Sequence, residues 1–151
     1  MVEQNIYFQE LYKRLDNLCK DCYTSQEGVS EYIRQMEKYM FDGKRLVQDW
    51  EIEYNNLKHV RWIRNQLAHE VGTLNSDIVE DDDILFVSNF YDKIINANDS
   101  LSLLRIIKSK QIKDKITKTN VTVSQDAYVQ PVKKEVGFLS KLLSKIKNFF
   151  K

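Results

Sequence analysis

Proline and glycine are scarce: the 151 residues contain one Pro and four Gly. Hairpins and strand-rich sandwiches place those residues at their turns, so their scarcity argues against a β architecture. Only two cysteines are present, Cys19 and Cys22, too few for a disulfide framework and compatible with a reducing compartment. No run approaches the roughly 18 uncharged apolar residues of a conventional membrane-spanning helix. Met1-Val2-Glu3-Gln4-Asn5 offers no basic start followed by an apolar stretch, so the expectation is a cytoplasmic protein without a standard secretory leader. A surplus of one charge is missing as well. Twenty-three Lys and Arg balance 22 Asp and Glu for a net charge of +1, and any surface for a polyanion must therefore be local.

What the chain does have is helical periodicity. With 42% apolar residues it supports one core rather than two full-sized domains. Ile6, Leu11, Leu15, Leu18 and Cys22 mark a first helix over about residues 3–23. After the break at Thr24-Ser25-Gln26-Glu27-Gly28, Val29, Ile33, Met36 and Met40 predict a second to about Phe41, where Asp42-Gly43 interrupts. Trp50, Tyr54, Leu57, Val60 (or Arg61), Ile63 and Leu67 predict a third from Asp49 to His69. A loop at Val71–Ser76 follows, with Gly72 suited to a helix end. Glu80-Asp81-Asp82-Asp83 then opens a fourth helix carrying Ile84, Val87, Phe90, Tyr91, Ile94 and Ile95. Asp99 or Ser100 is placed to cap a short helix through Leu101, Leu103, Leu104, Ile106 and Ile107. The expected fold is all-α, a four- to five-helix antiparallel bundle over residues 1–107. A polar basic linker is expected over 108–135, where a short strand at Thr117–Thr122 is the only regular element foreseen, and an amphipathic C-terminal helix over 136–151.

Four motifs bear on chemistry. Cys19-Lys20-Asp21-Cys22 has the spacing of half a zinc site, yet there is no second Cys pair, and His59 and His69 are ten residues apart. Small buried or surface thiols are the expectation, with no metal. The acids 80–83 fit no cation-binding loop and suit the positive end of a helix dipole instead. The third motif is the run from Lys58 to Glu70, which holds Lys58, Arg61, Arg64, Asn65 and both histidines with no acid before Glu70. Lys58, Arg61, Asn65 and His69 step by three and four along one helical face. Arg suits phosphate, His exchanges protons near neutral pH and Asn orients either by hydrogen bonding. The plainer reading is a solvated basic face, with a histidine where the helix end favours a cation.

Arg64-Asn65-Gln66-Leu67-Ala68-His69-Glu70 resembles the signature of HEPN domains: an Arg, often followed by Asn, then four to six residues and a His. The resemblance spans about residues 1–107, and its specific part is these few positions. It implies an all-α bundle that pairs into a homodimer, with two motif copies forming a composite cleft. Many HEPN proteins are metal-independent endoribonucleases of defence, stress or toxin–antitoxin systems, which implies no cofactor, an RNA substrate and an antitoxin or other protein partner. Arg64 and His69 would be the catalytic residues, and Asn65 their polar companion. Glu70, Arg61 and Lys58 would support the site or bind RNA backbone. Other members are inactive, so the resemblance equally allows a non-catalytic interaction module.

The fourth motif is the C-terminus. Phe138, Leu139, Leu142, Leu143, Ile146, Phe149 and Phe150 form one apolar face, while Lys141, Lys145, Lys147 and Lys151 supply charge with no acid among them. Fourteen residues span about 21 Å, short of a bilayer core. The pattern fits a helix lying on an anionic membrane, at the inner face in a cytoplasmic protein, or one packed on the bundle or a partner. A membrane-surface adaptor is therefore a third functional expectation.

Overall fold

The computed structural model describes residues 2–69 and 77–123, and among these the fold is all-α: α1 (Val2–Tyr23), α2 (Gly28–Lys38), α3 (Met40–Leu46), α4 (Trp50–His69), α5 (Asp81–Ile95) and α6 (Ser100–Val123). In the compact unit formed by Met1–Lys110, α1 packs against α2, α4 and α5, and α4 packs against α2 and α5. Phe8, Leu15, Val29, Tyr32, Met36, Trp50, Leu57, Ile63, Val87 and Phe90 lie at its centre. Tyr32 meets the Phe90 ring edge-on at 5.1 Å, the geometry that opposes ring edge to ring face.

The core stripe of α1 is turned from its expected position. Asn5, Phe8, Tyr12, Leu15 and Cys19 are buried, whereas Ile6 is half exposed and Cys22 exposed. Steps of three and four join the observed set without a gap, while the expected set contains a step of five. The two rings also bury more area than the aliphatic residues they displace.

Gly43 does not stop a helix. It lies inside α3, where an added Cβ would stand 2.2 Å from Trp50 Cε2. The break falls at Tyr39, with φ −108° and ψ 19° between α2 and α3, and the glycine serves the close approach of α3 to the indole. At the other end of the chain, α6 continues to Val123, although residues from Lys108 onward had been expected to form a linker and Thr117–Thr122 a strand. Lysine and glutamine favour the helix over 108–115, and further on the Thr117 and Thr119 hydroxyls donate back to Lys113 O and Lys115 O, which satisfies these threonines within a helix. Among the described residues, 111–123 belong to a separate unit. The remainder of the linker and the amphipathic helix with Phe138, Leu139, Leu142, Leu143, Ile146, Phe149 and Phe150 lie outside the described residues, as do Gly72 and Glu70. No described helix is long and apolar enough to cross a membrane.

A buried polar junction fixes the start of α6. Glu53, 4% exposed in the first turn of the α4 core stripe, accepts hydrogen bonds from Lys93 Nζ at 2.5 Å and from Ser100 N and Oγ at 3.0 and 2.5 Å. Next to it, Asp99 Oδ2 accepts the Tyr32 hydroxyl at 2.5 Å and Ser102 N at 3.2 Å, and Tyr32 Oη accepts Leu101 N. Asp99 is thus the N-cap anticipated from sequence, and Ser100 binds α4 instead. Burial and the neighbouring Asp99 carboxylate push the Tyr32 hydroxyl far up from its ordinary range.

Candidate functional site

The motif residues occupy the outer side and one flank of α4, because Leu57, Val60, Ile63 and Leu67 claim the inner side. Lys58, Trp62, Asn65 and His69, spaced four, three and four apart, form an exposed outer stripe. Lys58 Nζ stands 5.1 Å from the centre of the Tyr54 ring. Trp62 is 51% exposed and stacks with His59 at 6.1 Å. His69 is the last residue of α4 and exposed. Arg61, expected on the same face, is half-buried and reaches toward α2, with Nη1 3.5 Å from Ser30 Oγ.

Arg64 sits on the flank facing α1. It lines a cavity of about 350 Å³ together with Tyr12, Lys13, Asp16, Asn17 and Lys20 of α1. Its guanidinium is exposed and donates from Nη1 to Asn65 Oδ1 at 3.0 Å. That is a contact with its own chain neighbour, which leaves most of the five-donor fork available. Asp16 is the acid in this wall, and its carboxylate is already engaged: Oδ1 accepts Val29 N at 2.9 Å, and Oδ2 pairs with Lys20 at 3.0 Å. The same carboxylate explains the sequence at Gly28, where a Cβ would fall 2.2 Å from Asp16 Oδ1. Burial and Asp16 push the Tyr12 hydroxyl at the wall upward, while Arg64 and Arg61 pull it down. With Asp16 neutralised by Lys20, the wall is left locally cationic through Lys13 and Arg64.

A five-residue separation places Arg64 and His69 about 140° apart around α4. The helix therefore presents the guanidinium on its α1 flank and the imidazole on its outer side. Asn65 lies angularly between them and holds the guanidinium. A single α4 offers a phosphate-binding fork and a proton-exchanging group on adjoining surfaces rather than converging on one point.

The other two motifs resolve into structure. Cys19 is buried and Cys22 exposed, burial raises both thiols from their ordinary value, and no group of three His, Cys, Asp or Glu among the described residues is arranged to hold a metal. The acids 80–83 start α5. Glu80 is its N-cap, and Asp83 Oδ2 accepts Glu80 N at 2.9 Å in a capping box. Asp81 Oδ1 accepts Gln4 Nε2 of α1.

Two features lay beyond sequence reasoning. The α1 contribution to the Arg64 groove comes from Lys13, Asp16, Asn17 and Lys20, which read locally as an ordinary polar helix face. His59 Nε2 lies 3.2 Å from Asp83 Oδ1, a pair joining residues 24 apart that no local spacing announces. No curated protein and no solved structure matches the chain. Residues 6–148 match a family of unknown function, DUF6548, and with nearly the whole sequence covered the chain belongs to that family.

Proposed function

We propose that the chain is a metal-independent RNA endonuclease acting through Arg64 and His69. The observation that carries the reading is the state of Arg64: an exposed guanidinium, hydrogen-bonded among the described residues to the adjacent Asn65 amide alone, in a groove that also holds Lys13 and Lys20. A phosphodiester laid along this flank meets a planar fork suited to phosphate oxygens. His69 then serves as general base toward the ribose 2′-hydroxyl or as general acid toward the departing 5′-oxygen. Arg64 stabilises the charge that builds on the phosphoryl oxygens during attack. The 2′-oxygen bonds to phosphorus as the bond to the 5′-oxygen breaks, giving a 2′,3′-cyclic phosphate and a 5′-hydroxyl. DNA, lacking the nucleophile, resists. Because Arg64 and His69 diverge on one helix, the reading includes a homodimer in which a second copy brings the groups together, within a defence or toxin–antitoxin setting.

The test is incubation of the full chain with structured RNAs in chelator, beside Arg64→Ala and His69→Ala. Cleavage by the wild type is expected, with a loss of at least about 100-fold in each folded variant. Cleavage that persists in both variants, or that disappears with chelator, overturns the assignment. Folded wild-type protein that cuts none of a broad RNA set shifts the reading to a non-catalytic interaction module.

A further inference from the structure

On the opposite flank of α4 from Arg64, a cavity of about 370 Å³ opens between α4 and α5, lined among others by Asn56, His59, Asp82, Asp83, Phe86 and Asn89. Its volume is at the lower end of small-ligand clefts. Helix capping accounts for Glu80 and Asp83, and Gln4 for Asp81. Asp82, Asn56 and Asn89 have no hydrogen-bond or ion-pair partner among the described residues. The cavity therefore combines a carboxylate, two carboxamides and one aromatic wall, Phe86, which is itself stacked on Phe90 at 5.6 Å. His59 is oriented by Asp83 at 3.2 Å and closes the α4 side.

We propose that this cavity is a guanine-binding subsite for the RNA strand, a reading that rests on the RNA-directed function proposed above. The donor set decides the ligand class. Two carboxylates in the wall disfavour phosphate, so a base enters and its phosphate stays outside. A carboxylate accepts two parallel N–H bonds most readily from a ligand edge with two adjacent donors. Among the four RNA bases only guanine has that edge, at N1 and N2. Adenine and cytosine set an acceptor beside their amine, and uracil flanks its single donor with two carbonyls. Asn56 and Asn89 can donate to guanine O6 and N7, as carboxamides do to base edges. A guanidinium also has paired donors, but it has no acceptor and leaves the carboxamide N–H groups unused. Phe86 supplies a face for stacking, a sequence-tolerant contribution that adds to the edge readout.

The full chain, isotopically labelled, is titrated with guanosine, inosine, adenosine, cytidine, uridine and N-acetylarginine amide while the side-chain amide signals of Asn56 and Asn89 are followed. Guanosine is expected to shift both signals and to bind about tenfold more tightly than inosine, which lacks the N2 amine. Asp82→Asn, which keeps a residue well suited to a helix start, is expected to weaken guanosine by about the same factor with an unchanged circular dichroism spectrum. No shift with guanosine, equal binding of all nucleosides, an unaffected Asp82→Asn, or preferential binding of the arginine derivative each overturns the proposal. A nucleoside carries neither phosphate nor scissile bond, so Arg64→Ala is expected to bind guanosine like the wild type. Loss of guanosine binding with RNA cleavage intact refutes the subsite alone. Cleavage surviving Arg64→Ala and His69→Ala refutes the nuclease reading whatever guanosine does.

Discussion

Charge is used in two different ways on α4. At Glu53 the carboxylate is buried, and both of its oxygens accept hydrogen bonds from groups on other elements. Three turns later Arg64 is exposed and, among the described residues, hydrogen-bonds its neighbour's amide alone. The first arrangement is understandable as structure, since a buried charge persists only with such partners. The second does no comparable work for the fold, and that makes it the stronger functional candidate. The two histidines repeat the contrast. His59 is paired with Asp83 and stacked on Trp62, whereas His69 ends α4 in an exposed position.

The contrast can be broken by mutation. Glu53→Ala should have the largest effect, about 3 kcal/mol of lost stability in urea unfolding, because Lys93 and both Ser100 donors lose their acceptor. A cost below about 0.5 kcal/mol would remove the distinction between the two regions. Tyr32→Phe deletes the hydroxyl between Asp99 and Leu101 N, and about 2 kcal/mol is expected from the same measurement. Alkaline titration probes that hydroxyl directly. Its folded-state pKa is raised, so above the ordinary tyrosine value of about 10 the unfolded chain releases a proton that the folded chain retains. Stability is then unaffected by this group below pH about 10 and falls as the pH rises beyond it. A Tyr32→Phe protein should show a shallower alkaline decline, and an unchanged slope would assign the loss to other groups.

Smaller effects sharpen the comparison. Ala97, in the turn between α5 and the junction, has φ 54°, and Asn98 N donates to Lys93 O at 2.8 Å as in a Schellman-type helix end. Ala97→Gly should raise stability by about 0.5 kcal/mol, since glycine adopts that conformation without strain. A fall in thermal midpoint would show that the alanine methyl contributes more than its backbone costs. Arg64→Ala and Asn65→Ala should be smallest, within about 0.5 kcal/mol of wild type. A large loss in either would identify the exposed fork as structural and count against the catalytic role proposed for it.

Legibility followed the range of the interaction. The third predicted helix, Asp49 to His69, agrees with α4 to within a residue, because an unbroken apolar rhythm is a local property. The acids at the start of α5 and the cap at Asp99 were readable for the same reason. The α1 stripe was misplaced because the competition between Ile6 and Phe8 is decided by what α2 and α5 accept. Within the candidate site, Arg64, Asn65 and His69 were visible as a run of residues. Their divergence around the helix could be computed, but the groove that gives Arg64 its surroundings could not, since its other wall is formed by α1.

By itself the sequence determined the all-α class of the described residues and the positions of the principal helices, both of them consequences of local spacing and side-chain chemistry. Tertiary structure alone decided that Gly43 admits Trp50, that Glu53 is buried among donors, that Lys13 and Arg64 line one groove from opposite walls and that His59 meets Asp83. Each of these joins groups distant along the chain or on separate helices, and their proximity is set by how helices pack rather than by any pattern within one of them.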